Sequence, residues 1–140
     1  MASAAISDDA VQGSAASKLG WLLSSLAILF LGMDASAKLI VPAMMAAYTP
    51  PQLHVPTDVG FYRLLGTILA VSTALYALPR TAVLGALLLT AYLGGAVATH
   101  LSAGSPLLSN TLFGVYLGLA VWGGLWFRDP RLRALLPLRG

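Results

Sequence analysis

The sequence predicts an all-α protein: four transmembrane helices packed up and down in one bundle, N-in and C-in, with a short interfacial segment between helices 1 and 2. Three observations predict it. The composition is 58% hydrophobic and only 9% charged, with no glutamate at all, whereas soluble domains carry about a quarter charged residues. The apolar residues fall in four runs, 19–41, 59–78, 82–101 and 107–127, each long enough to cross a hydrocarbon core of about 30 Å as a helix. Five of the eight basic residues, Arg80, Arg128, Arg131, Arg133 and Arg139, sit beside the ends of these runs. That placement fits topology signals and anionic-lipid contacts better than a nucleic-acid surface, so the lipid bilayer is the expected partner and nucleic acid is not.

Taken in order, residues 1–17 (MASAAISDDAVQGSAAS) are small and polar, with Asp8 and Asp9 as their charges. A signal peptide needs a basic start and a cleavable apolar core, so this stretch is expected as a disordered tail. The membrane bundle is expected over 18–127. Its first run opens after Lys18, has Trp21 at interface depth and ends at Pro42. It carries Asp34 and Lys38 four residues apart, which puts opposite charges on one helical face. With hydrocarbon starting near Gly20, Asp34 lies about 21 Å into a core of about 30 Å. Lys38 is then close enough to the far interface to snorkel.

Residues 42–57, PAMMAAYTPPQLHVPT, are too short and proline-broken to span. Pro42 suits the first turn of a short helix and Pro50 stops it, so 43–48 are expected along the interface as a cap or re-entrant segment. The second span has Thr57 or Asp58 to cap its start, and Arg63 lies one turn inside. Pro79, Arg80 and Thr81 form a turn that suits only two antiparallel helices. The third span ends in GGAVATHL, which places His100 on the same membrane side as Asp34, Lys38 and Arg63. After the turn SAGSP, the fourth starts with Ser109, Asn110 and Thr111 and finishes at Trp122, Trp126 and Phe127, ahead of a basic cytoplasmic tail at 128–140.

Orientation follows from the basic residues. Lys18, Arg80 and the four arginines after Phe127 share one side, which the positive-inside rule makes cytoplasmic. Trp21, Tyr76, Trp122 and Trp126 fall at that interface as an aromatic belt. Lipid supplies no hydrophobic drive for helix association, so small residues that let backbones approach must supply contact. The third span offers Ala91, Gly95 and Thr99 at intervals of four beside Gly94 and Ala98, and the fourth offers Gly114 and Gly118. These are expected to pack inside the bundle rather than to form a dimer seam, with a homo-oligomer left open. Gly123 and Gly124 read equally as local flexibility.

Folding the runs up and down gathers Asp34, Lys38, Arg63, His100 and Asn110 in the outer half of the bundle, with Tyr92 two turns below His100 on its face. Each group alone has a structural explanation: an intrahelical pair, snorkelling cations, a helix cap. Together they form a candidate ligand site, because a mid-span carboxylate is costly to leave idle. Cations and neutral donors around one carboxylate suit a carbonyl-bearing or anionic headgroup. Asp34 or His100 would exchange a proton, and a quinone head fits. With no cysteine, the chain can form no disulfide and hold no thiolate-ligated iron–sulfur cluster. His54 and His100 are too few for a metal site, no zinc motif, phosphate loop or nucleophile–base pair is present, and no catalytic residue is assigned.

The segment LPRTAVLGALLLTAYLGGAVATHL at 78–101, FGVYLGLAVWGGLWFRDPRLRALLP from Phe113 and the MDASAKL piece of the first span closely resemble the DoxX-like family of small bacterial membrane proteins. The resemblance implies a four-helix integral membrane protein of the bacterial cytoplasmic (inner) membrane. It also implies a place near quinone-linked redox systems, since the family takes its name from a subunit of a terminal quinol oxidase. On matching positions it carries over Asp34, Lys38 and His100 as polar positions of the family. Many relatives have an acidic residue in the second span, and 66–76 here has none, which weakens the transfer of an enzymatic role; at most the resemblance implies a quinone-linked oxidoreductase subunit.

Three functions are expected from these readings. The first is an accessory subunit that binds a lipophilic small molecule such as a quinone beside a membrane or peripheral oxidoreductase partner, with electrons coming from elsewhere. The second is a proton-coupled small-molecule transporter that uses Asp34. The third is a structural or assembly partner.

Overall fold

The computed structural model describes residues 2–135, with side chains from Gly13 onward. Its elements are helix α1 (Ala2–Ile40), short helix α2 (Pro42–Ala47), a 3-10 turn (Pro51–Leu53), α3 (Val59–Ala77), α4 (Ala82–Ser102), one turn of π-helix (Leu107–Thr111), α5 (Phe113–Arg128) and short helix α6 (Pro130–Leu135). Four stretches are long and apolar enough to cross a membrane: Gly13–Ile40, Val59–Ala77, Ala82–Ser102 and Leu107–Arg128. They form a ring in which α1 and α4 occupy opposite corners and each packs against α3 and α5.

Each turn has a local cause. Pro42 opens α2 from its first position, where the missing N–H costs nothing. Asp58 caps α3 by accepting from the Phe61 N–H at 2.8 Å. The Thr81 hydroxyl donates to the Leu75 carbonyl at 2.8 Å, closing the tight turn after α3. Gly104, with φ +65, supplies the left-handed residue of the turn after α4.

Two expectations about the ends differ from the structure. The stretch expected as a disordered tail is helical from Ala2. Alanine is the strongest helix former, no proline precedes Pro42, and a helix propagates easily from a turn already formed by the apolar span. The expected basic tail continues as α6, with the Asp129 carboxylate accepting from the Arg131 N–H at 2.9 Å and Leu132 only 3% exposed. Residues 136–140 lie outside the described residues.

The buried stripes follow helical periodicity. They run Gly20, Ser24, Ala27, Leu31 and Ala35 on α1, Tyr62, Gly66, Leu69, Thr73 and Tyr76 on α3, and Ala82, Gly85, Ala86, Leu89 and Leu93 on α4. Backbones meet where glycine allows it. A Cβ on Gly85 would lie 2.1 Å from the Tyr76 backbone nitrogen, and one on Gly124 would lie 2.5 Å from Ser24 Oγ and 3.1 Å from the Gly20 carbonyl oxygen.

These contacts correct the packing expectation. Gly114 does approach α4 closely, with an added Cβ 2.8 Å from Val97 Cγ2, but Gly94, Gly95 and Gly118 have nothing within 4 Å of such a carbon. Ala91 and Gly94 are exposed. Four-residue spacing marks a face, but it does not say whether that face is the inner one. The pair read as flexible contains Gly124, which makes one of the closest contacts between α1 and α5.

Tyr76 also departs from its expected place in an aromatic belt. It is fully buried, donates to the Val121 carbonyl at 2.7 Å and accepts from the Ser24 hydroxyl at 2.9 Å. A buried tyrosine keeps its hydroxyl satisfied, and a neighbouring helix can do this as well as water. Arg128 is drawn into the same end. Its guanidinium lies 4.6 Å from the Trp21 ring and 4.9 Å from the Tyr76 ring, and Nη2 donates to the Tyr76 carbonyl at 3.0 Å. This clasp ties α1, α3 and α5 together at one end of the bundle.

Candidate functional site

At the other end the helices leave a cavity of about 530 Å³. Each wall comes from a different element. Phe30, Leu31, Asp34 and Lys38 come from α1, Phe61, Tyr62 and Leu65 from α3, and Tyr92, Leu93 and His100 from α4. Asn110, Phe113, Gly114 and Leu117 come from the π-helical turn and α5. Met45, Thr49, Leu53 and Val55, from α2 and the segment after it, close the outer end. The interfacial segment thus roofs a chamber.

Five of the six residues expected at a ligand site line this chamber: Asp34, Lys38, Tyr92, His100 and Asn110. Their placement follows from the helical stripes. His100 is seven residues after buried Leu93, two turns along the same face, and Asp34 follows buried Leu31 by three. Arg63 does not join them. It is exposed and outside the lining, because it is one residue beyond Tyr62 and so about 100° round the helix from the buried stripe.

The local chemistry is specific. Lys38 Nζ donates to Asp34 Oδ1 as an intrahelical pair. The lysine side chain is 12% exposed, so it turns back along its own helix instead of snorkelling outward. Asp34 keeps 30% of its side chain accessible, and a carboxylate has lone pairs beyond the one Lys38 uses. Across the bundle, Tyr92 borders the same cavity as Asp34. His100 Nδ1 is held by Ser105 Oγ at 3.1 Å, which orients the ring and leaves Nε2 as the nitrogen for a ligand.

The turn between α4 and α5 fixes the remaining group. Ser105 N–H donates to the His100 carbonyl at 3.0 Å and Thr111 Oγ1 donates to the Ser105 carbonyl at 3.2 Å. The backbone then makes one wide turn, with Thr111 N–H donating to the Pro106 carbonyl at 3.1 Å and Leu112 N–H to the Leu107 carbonyl at 2.9 Å. Asn110 sits on this turn, its side-chain oxygen accepting from the Ser109 hydroxyl at 2.7 Å. It does not cap α5, whose start has no side-chain cap. The wider turn shifts Asn110 relative to a regular helix, a deviation that recurs at functional sites.

Sequence reasoning missed Tyr62 and Thr49. Tyr62 is 5% exposed and hydrogen-bonds to the Thr49 hydroxyl, which also donates to the Met45 carbonyl at 2.8 Å. This link pins the roof to α3. The signal was present in the four-residue steps from Tyr62 to Gly66 and from Thr73 back to Leu69, which place Tyr62 on the inner face.

The lining is mostly apolar, with polar groups from three elements: a carboxylate–ammonium pair, an oriented imidazole, a phenol and an amide. Such a chamber can hold a small amphiphile and exchange hydrogen bonds or a proton with its head. Among the described residues no three His, Cys, Asp or Glu side chains cluster as metal ligands. No curated protein and no solved structure matches the chain. A profile of the DoxX-like family matches residues 22–124, which takes in most of each apolar helix and every residue that lines the chamber. The chain therefore belongs to the DoxX-like family of membrane proteins.

Proposed function

We propose that this membrane protein binds the polar head of a lipophilic small molecule, a quinone or a similar carbonyl compound, in the chamber between α1, α4 and α5. It would serve as an accessory subunit beside a membrane redox partner in the bacterial inner membrane. The observation that carries the reading is the shared lining: Asp34, Lys38, Tyr92, His100 and Asn110 all border one cavity whose remaining lining is mostly apolar. A quinone has two carbonyl ends and an apolar body, and this lining supplies donors and apolar contact together. His100 Nε2 and the Tyr92 hydroxyl are the hydrogen-bonding groups for the carbonyls, and Asp34 holds the Lys38 ammonium at the cavity wall as a further donor. The positive-inside rule supports the reading with both termini on the cytoplasmic side, an orientation in which the chamber would face outward.

The Lys38–Asp34 pair weakens the transporter reading. A proton-coupled carrier of this size would leave its carboxylate free of a nearby lysine, whereas Lys38 Nζ donates to Asp34 Oδ1.

Calorimetric titration of the detergent-solubilised protein with a decyl-tailed dimethoxybenzoquinone tests the reading. Stoichiometric binding is expected, weakened at least tenfold by Asp34→Asn and by His100→Ala and unchanged by Arg63→Ala. Equal binding by all four proteins, or none by the unaltered one, would refute it.

A further inference from the structure

Beside the chamber, on the outer side of the bundle, an apolar groove of about 500 Å³ runs between α1 and α5. It shares three lining residues with the chamber, Phe30, Phe113 and Leu117. Leu26, Met33 and Ala120 extend it along both helices. Its rim faces outward: Leu26 is 57% exposed and Met33 65%. In a spanning helix such side chains meet lipid tails.

The seam between α1 and α5 changes character along its length. At the Gly20 and Gly124 end the two backbones touch. Beside the chamber, contact passes to side chains, and the Phe30 and Phe113 rings meet edge to face with centroids 5.2 Å apart. Two other seams beside the chamber are closed more firmly. An added Cβ on Gly66 would lie 2.9 Å from Lys38 Cβ, closing α1 against α3, and one on Gly114 would lie 3.1 Å from the Leu93 carbonyl oxygen, closing α5 against α4. The outer end is roofed by the segment that Thr49 ties to Tyr62. Two aromatic rings that turn about their side-chain bonds are a softer barrier than backbone in contact with backbone.

We infer that the α1–α5 groove is a lateral mouth of the chamber. The hydrocarbon tail of the bound molecule leaves through it into the bilayer, past the Phe30–Phe113 pair. This rests on the proposed head site and narrows its ligand to a head carrying one flexible chain. The occupant of the groove is that tail, because the groove continues from the chamber through shared walls. From Leu26 to Met33 the groove follows seven residues of α1, about 10 Å of helix, so it receives the first part of a tail and leaves the rest in lipid.

The test uses two probes with the same dimethoxybenzoquinone head, one without a tail and one with a decyl tail ending in a diazirine. Expected is photolabelling of α1 and α5 peptides containing Leu26, Met33 or Ala120. Ala120→Trp and Met33→Trp, which fill the groove from opposite sides, should each weaken the tailed probe at least fivefold and leave the tail-less probe unchanged. Both probes should depend on Asp34. If the tail-less probe binds in an Asp34-dependent way but neither tryptophan discriminates and the label falls elsewhere, the mouth is wrong and the head site stands. If the label reaches the groove in Asp34→Asn as strongly as in the unaltered protein, the groove holds an ordinary annular chain, and the inference fails. If neither probe binds, the head site and the mouth fall together.

Discussion

Asp34 and Tyr62 show how far a single residue can be read. Asp34 was legible because a carboxylate in an apolar run is expensive and therefore purposeful, and the structure puts it on the chamber wall. Arg63 drew attention by the same logic and lies outside, because charge alone does not report which face a residue occupies. One position earlier, Tyr62 has no charge to advertise it and sits inside. Tyr76 makes the corresponding point at the clasp, where its hydroxyl joins Ser24 and the Val121 carbonyl. Replacing Tyr76 by Phe leaves both without that partner, so thermal unfolding in detergent should reveal a loss of about 1 kcal/mol. No change in the unfolding midpoint would mean that these hydrogen bonds contribute nothing net. Arg128→Lys keeps the charge but gives up the flat guanidinium stacked beside Trp21 and Tyr76, and a loss of about 1 kcal/mol is expected in the same assay.

Among the elements, the four apolar helices were legible to within a few residues except at the start of α1, because length and hydropathy govern them and neither depends on neighbours. The seams were legible only in part, since Gly114 does meet α4. Small residues at four-residue intervals fit α4 at Ala91 and Gly95, yet the face that meets α3 carries Gly85. Which face turns inward depends on the partner helix, and a single strand of text does not contain it. The distinction predicts opposite outcomes for two similar changes. Gly85→Leu drives a side chain into the Tyr76 backbone and should abolish stable folding, seen as loss of a monodisperse peak on size exclusion. Gly94→Leu meets open space and should leave that profile intact. The π-helical turn at Leu107–Thr111 was equally hidden, since nothing in LLSNT departs from ordinary helix-forming text. It matters because it sets where Asn110 meets the chamber.

The whole molecule divides by function along its length. One end is locked by backbone contact at Gly20 and Gly124 and by the Arg128 clasp. The other opens into the chamber, where α1 and α4 stand at opposite corners and their polar residues look across it. A rigid end that fixes helix positions and an open end that presents side chains are compatible with the proposed binding of a small molecule. Native mass spectrometry of the protein extracted from its own membrane tests this most directly, because it weighs ligand and partner together. The account predicts one small-molecule adduct per chain, lost in Asp34→Asn and in His100→Ala. An adduct that persists undiminished in both single variants would contradict it.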